Sequence, residues 1–158
     1  HKKIGLLVGR NQIVRNLVDF REEYFIEIMK ELELYDEKFV KVDEFSAESG
    51  YKMMKEVLKL KERPTAVFCA NDSIAMGAYK AVRERKLKIF DDISIIGFND
   101  LKISQYMNPP LTTLRIDTKI IAEETINVLT ELLENKRSYR KKVYLPVELI
   151  ERESCGSI

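Results

Sequence analysis

The residues best placed to do chemistry follow short apolar runs. In "PTAVFCANDSIAMGAYKAV", residues 64–82, the run Thr65 to Cys69 ends in Asn71 and Asp72, and a helical pattern begins at once. A helix start needs one short polar cap. Asp72 is expected to supply it, leaving Asn71 to face whatever lies beyond the strand end. Other apolar runs end in the same way: one in Gly9 and a loop with Arg21 at its far side, one in Asp43 to Phe45, one in Asn99 and Asp100. Amide, carboxylate and guanidinium groups carry several donors and acceptors, which suits a ligand whose hydroxyls each give and take a hydrogen bond. Phe45 adds an apolar face for the C–H side of a sugar ring. Two plainer readings stand beside this one: Asn71 and Asp72 both serve the helix start, or the Phe45 ring folds back as core.

Other chemistries lack their residues. There is no G-x-G-x-x-G, no Walker loop and no nucleophile elbow. The only histidine is His1, and no cysteine–histidine spacing fits zinc. No cofactor, metal or catalytic residue is expected, and the chain is not read as an enzyme. Glu22 and Glu23 beside Arg21 are not an acid/base pair, because adjacent helical residues diverge by about 100°. Both are expected on solvated helix surface.

Positioning these groups falls to an alternation of strands and helices. Strands are expected at Ile4–Val8, Phe39–Val42, Thr65–Cys69, Ile93–Gly97 and Leu111–Ile116, with extended segments at Val143–Leu145 and Val147–Ile150 around Pro146. Helices are expected at Val18–Leu32 (Phe25, Ile28, Met29 and Leu32 inward), Ala47–Leu60, Asp72–Lys86 and Thr118–Asn135. A polar loop, "GRNQIVRN", follows the first strand. Repeated strand–helix units with apolar strands imply a parallel sheet covered by helices. Ligands of such sheets bind outside the carboxyl ends of the strands, which gathers Arg21, Phe45, Asn71, Asn99 and Asp100 on one rim.

The chain has 158 residues, 45% hydrophobic and 34% charged, enough for one domain with a sizeable core. Its 27 basic and 26 acidic residues give a net charge of +1 and no sign of a nucleic-acid surface. Cys69 is expected as a small buried residue rather than half of a disulfide, in keeping with a reducing, cytoplasmic compartment. Apolar runs are too short to span a membrane. Strand-like sequence begins within three residues of His1, and the chain is therefore read as a piece of a longer one. The basic run "RSYRKKV" is expected as a solvated turn, and Phe90 as loop packing.

From Lys2 to about Ser154 the sequence resembles the effector-binding region of lac/gal-type (LacI/GalR) bacterial transcription repressors. The resemblance rests on "HKKIGLLVG", "PTAVFCANDSIAMGAYKAV", "DDISIIGFND", "NPPLTTLRID" and "LPVELIERES" in this order. "REEYF", "FSAESGY" and "PPLTTLRI" bring it nearest the galactoside-operon branch. The resemblance implies an α/β fold, a parallel-sheet three-layer lobe of the periplasmic-binding-protein-like (type I) effector-binding domain. Residues 1–117 would be the C-terminal lobe. Residues 118–145 would be a helix and strand that cross to an N-terminal lobe, and residues 146–158 a return strand and tail. The family's ligand contacts fall on Arg21, Phe45, Asn71, Asn99 and Asp100, with an amide at Asn99 where sugar repressors usually carry a carboxylate, and with Ile116 where some relatives have a polar residue.

The helix after Asn71 places Ile74, Ala75, Ala78, Ala81 and Val82 inward, with Met76, Tyr79 and Arg83 off that face. The family's pairing on this helix implies a homodimer through Tyr51, Met76, Tyr79 and Met107, with Tyr106 nearby. The implied partners are a small carbohydrate, with galactosides the nearest candidates, and operator DNA through an N-terminal helix-turn-helix outside this chain; no membrane is implied. A transporter's sugar-binding protein of the same fold is the alternative function.

Overall fold

The computed structural model describes residues 1–10, 19–134, 137 and 139–156. Most of the expected polar loop (11–16), Val18 at the expected helix start, Asn135 at the expected helix end, and Lys136 and Ser138 lie outside the described residues.

The elements run β1 (Ile4–Gly9), α1 (Phe20–Glu31), β2 (Val40–Asp43), α2 (Ala47–Val57), β3 (Ala66–Cys69), α3 (Asp72–Glu84), β4 (Ser94–Phe98), β5 (Thr112–Ile116), α4 (Thr118–Leu133) and β6 (Val147–Ile150). The sheet order is β2-β1-β3-β4-β5-β6. The first five strands are parallel, and β6 runs antiparallel to β5. Val143–Leu145 forms no strand.

Alternate residues of the central strands point to opposite faces, and two cores result. On one face Leu7, Val67, Cys69 and Ile95 pack with Met53, Met54 and Val57 of α2 and Ile74, Ala78 and Val82 of α3. On the other, Leu6, Val8 and Ala70 pack with Phe25 of α1, Val40 and Phe68. The lobe therefore has the expected three layers. Cys69 is fully buried and unpaired.

Three burial expectations need correction. In α1, Phe25 and Met29 turn inward, but Ile28 and Leu32 are exposed. Ile28 sits about 60° from Phe25 around the helix, away from the sheet, and Leu32 is the terminal cap residue. Glu22 is buried rather than solvated, and pairs with Arg10 at 2.7 Å. Tyr79 is only 2% exposed. It lies one turn beyond Ala75, about 40° further around α3, and its long ring reaches inward until its hydroxyl donates to the Pro109 carbonyl at 3.1 Å.

The chain returns from β4 to β5 without an α-helix, through a short 3-10 helix at Lys102–Tyr106, and a buried carboxylate holds that return segment. Asp72, 0% exposed, accepts from the Leu101 N–H at 2.7 Å, the Ser104 hydroxyl at 2.8 Å and the Thr113 hydroxyl at 2.7 Å. Gly97 makes room for it, since a Cβ there would collide with Asp72 Oδ1. Beyond the return, Ser154 is also buried. Its hydroxyl accepts from Thr112 N and donates to Ile95 O, pinning the tail under β4 and β5.

Replacing Asp72 by Ala strands a backbone N–H and two hydroxyls in the interior. The expected loss of stability is at the upper end of the roughly 1–3 kcal/mol that an orphaned buried donor costs. Denaturant unfolding measures it; a loss within the error of the wild-type curve would remove Asp72 from this role.

Candidate functional site

In a parallel sheet ordered 2-1-3-4-5, the crevice lies where the chain leaves β1 and β3 in opposite directions. Gly9 ends β1, and Ala70 and Asn71 follow β3. Of the groups expected on the rim, Arg21 and Phe45 meet at this point, and Arg21 bonds the Ala70 carbonyl next to Asn71; Asp100 turns away from it to Arg115 and Arg152.

Arg21 is at its centre. Its Nε and Nη2 donate to Asp19 Oδ1 and Oδ2 at 2.8 and 2.6 Å, and Nη1 donates to the Ala70 carbonyl. The guanidinium lies between two rings, 5.6 Å from the Phe45 centroid and 5.0 Å from that of Phe98. Both distances are in cation–π range. Asp19 is also the N-cap of α1, accepting from Arg21 N at 2.9 Å. Sequence reasoning placed Asp19 inside the helix and so missed it. Its signal was a D-x-x-E pattern with Glu22, the spacing of a capping box. Phe98, the last residue of β4, was also missed, because the strand is expected to end at Gly97, which leaves Phe98 in the following loop.

Phe45 is 38% exposed. Its ring lies over Gly9, where any Cβ would collide with it. The ring therefore covers the end of β1 with one face and remains open elsewhere, between the two readings given for it.

Asn71, not Asp72, caps α3: its Oδ1 accepts from Ile74 N at 2.7 Å. The expected division of labour is reversed, because Asp72 is drawn inward by Leu101, Ser104 and Thr113. The Asn71 side-chain nitrogen makes no protein hydrogen bond among the described residues, so this residue caps with one atom and offers a donor with another.

Asn99 and Asp100 have φ of 107° and 51°. Left-handed backbone favours short polar side chains, so the pair has a conformational reason to follow β4. Asn99 is exposed. Asp100 has a side chain only 9% exposed, held at 2.7 Å by both Arg115 and Arg152. Arg152 Nη1 also donates to the Leu111 carbonyl. Asp100 thus braces the β4–β5 return from beneath Asn99.

The expected interface residues are less uniform. Met76 is 38% exposed. Tyr51 is half-buried, donating to Glu84 at 2.7 Å and accepting from Lys55 at 3.1 Å. Met107 packs partly against the core. Tyr79 is interior.

A periplasmic binding protein-like domain matches residues 1–155. The chain is 44% identical over 108 residues to the lactose operon repressor of Rhizobium radiobacter, covering 68% of this chain and 95% of that one. This chain belongs to the LacI/GalR family of transcriptional regulators. Within it, the chain is 38% identical over 158 residues to the HTH-type transcriptional repressor PurR of Serratia proteamaculans (strain 568), covering 99% of this chain and 46% of that one. It therefore spans about half the length of the PurR relatives it matches. The lac repressor bound to ONPG in the repressed state superimposes with a TM-score of 0.86 at 27% identity, over 98% of this chain and 46% of that one. Repressors named PurR recur among the relatives, so the likeness extends across the family rather than to the galactoside-operon branch alone. Among the described residues no cluster of His, Cys, Asp or Glu could hold a metal, and no helix is long and apolar enough to cross a membrane. Burial pushes the Cys69 thiol well above its ordinary range, which leaves it unreactive.

Asp19 and Asp100 respond to pH in the same direction. Burial pushes both carboxyls up, but the hydrogen bonds from Arg21 to Asp19, and from Arg152 and Arg115 to Asp100, outweigh it and hold both below the usual carboxylate range. Their stabilisation is complete above the unfolded-state value of about 3.9 and is lost as pH falls through the lower folded values. Urea unfolding from pH 6 to pH 2.5 is expected to show a shallower acid loss in Asp19→Asn/Asp100→Asn than in the wild type. Parallel curves for the two proteins would show that neither pair carries the acid sensitivity.

Proposed function

We propose that this chain is the effector-sensing lobe of a transcription repressor, and that a small carbohydrate, a galactoside first among the candidates, binds on the Arg21 rim. The observation that carries the reading is the Arg21 guanidinium held by Asp19 and the Ala70 carbonyl within cation–π distance of both Phe45 and Phe98, at the switch point of the sheet. It presents oriented N–H groups beside the partly exposed Phe45 ring, with Asn71 and Asn99 offering amides. The lactose operon repressor among the relatives favours a galactoside.

Residues 1–117 form one lobe in this reading; residues 118–145 cross to a second lobe, and residues 146–158 return. Support comes from α4, which has no buried residue although Ile121, Ile126, Leu129 and Leu132 lie along it. The effector closes the lobes and shifts the population between two states. A homodimer formed through Met76, Tyr51 and Met107 carries this change to a helix-turn-helix outside the chain, which holds operator DNA in the cytoplasm.

The test is a paired measurement on the full-length protein that carries this chain. Arg21→Ala is expected to weaken saccharide binding by about 1.5–3 kcal/mol. Phe45→Ala is expected to weaken it clearly while costing less stability than the roughly 3–5 kcal/mol of a lost core phenylalanine. Phe45→Trp is expected to keep binding. Wild-type affinity per folded molecule in both alanine variants would remove the site.

A further inference from the structure

We propose that Asp19 makes the rim selective for uncharged ligands by neutralising Arg21, so that a neutral saccharide binds and its phosphorylated counterpart is rejected. This rests on the carbohydrate reading above.

Phosphate and carboxylate ligands are held best by the paired N–H groups of an unencumbered guanidinium. Arg21 is not unencumbered. Its Nε and Nη2 edge is taken by both oxygens of Asp19. Nη1 is tied to the Ala70 carbonyl, and the Phe45 and Phe98 ring centroids lie 5.6 and 5.0 Å from the guanidinium carbon. Of five N–H groups, one on Nη1 and one on Nη2 have no partner among the described residues and remain for a ligand. Each can donate to a hydroxyl. An anion in the same place would lie beside the Asp19 carboxylate, with no net positive charge to repay its desolvation.

No other described rim arginine supplies that charge. Arg10 holds Glu22, Arg115 holds Asp100 and Glu148, and Arg152 holds Asp100. Asp43, at the end of β2, adds a further carboxylate to the rim.

Asp19 is also a helix cap, and the two roles are separable. The cap uses Oδ1, which accepts from Arg21 N; Oδ2 serves only the guanidinium. Asparagine caps a helix about as well as aspartate. Asp19→Asn therefore keeps the helix start and releases the charge of Arg21, whereas Asp19→Glu keeps the charge.

The experiment is titration calorimetry on the full-length protein with galactose, glucose, lactose, cellobiose, galactose 6-phosphate and glucose 6-phosphate. The wild type is expected to bind at least one neutral saccharide about tenfold or more tighter than either hexose phosphate. Asp19→Asn is expected to close that gap by about tenfold through gained phosphate affinity, with a cooperative unfolding transition at a midpoint lowered by loss of the Arg21 pair, and Asp19→Glu to preserve the gap. A wild type that binds a hexose 6-phosphate as tightly as the neutral sugars, or an unchanged gap in folded Asp19→Asn, overturns this inference alone. Should Asp19→Asn fail to fold, the wild-type and Asp19→Glu gaps decide. A wild type that binds none of the six compounds overturns the carbohydrate reading and this inference with it.

Discussion

The Asp72 carboxylate sets the geometry on which the rim depends. It sits in the first turn of α3, where the helix dipole favours negative charge, and accepts one backbone and two hydroxyl donors from the β4–β5 return. That return crosses from one strand end to the start of its parallel neighbour through a short 3-10 helix, Lys102–Tyr106, in place of an α-helix. Backbone bonds such as Leu111 N to Ser104 O hold it locally, and Asp72 supplies the link to α3. Because Leu101 is fixed by this bond, the two left-handed residues before it are fixed as well, and Asn99 is presented outward while Asp100 turns back toward Arg152 and Arg115. The same bond explains why Asn71 takes over the cap: Asp72 cannot serve the helix start and the return segment together.

Around that anchor the rim is built from charges already satisfied within the protein. Arg21 with Asp19, Arg10 with Glu22, and Asp100 between two arginines are each closed pairs. Such pairs contribute modest stability where they meet solvent, and their larger effect is orientation. A free arginine samples many rotamers and loses them on binding. Arg21, fixed by three hydrogen bonds and two rings, has given up that freedom during folding, which lowers the ordering cost left for a ligand to meet.

The fold was legible because its signals are periodic. Apolar runs bounded by polar residues placed all the parallel strands to within about two residues, and the alternation of strand and helix fixed their direction. The rule about strand ends led to Arg21 and Phe45, which meet at the ends of β1 and β2, but it also named Asp100, which faces Arg115 and Arg152 instead. What stayed hidden was the choice between equivalent polar neighbours. Asn71 and Asp72 are both good caps, and only Leu101, Ser104 and Thr113, 29, 32 and 41 residues away in the chain, decide between them. Tyr79 defeated the helical pattern for another reason: residues at the border of a buried face turn in or out according to what lies beside them, and its partner is the carbonyl of Pro109. Ile28 and Leu32 show the converse, apolar residues at the border of α1 that find nothing to cover them.

Helix α4 buries none of its residues against the sheet. Sixteen residues are close to the shortest helix that holds together in water without tertiary packing. The Asp117 side chain caps its start, accepting from Lys119 N and Ile120 N, yet a cap contributes only about 1 kcal/mol. Ile121, Ile126, Leu129 and Leu132 remain exposed along it. In the two-lobe reading this apolar side is covered by the second lobe, and α4 leaves directly from β5, the strand that follows the return segment. Any force on α4 is then transmitted through Thr112 and Thr113 to Ser154 and Asp72, which bond to them. In that reading the rim and the lobe connection meet at one buried carboxylate, since Asp72 bonds Thr113 of β5 on one side and Leu101 and Ser104 of the return segment on the other.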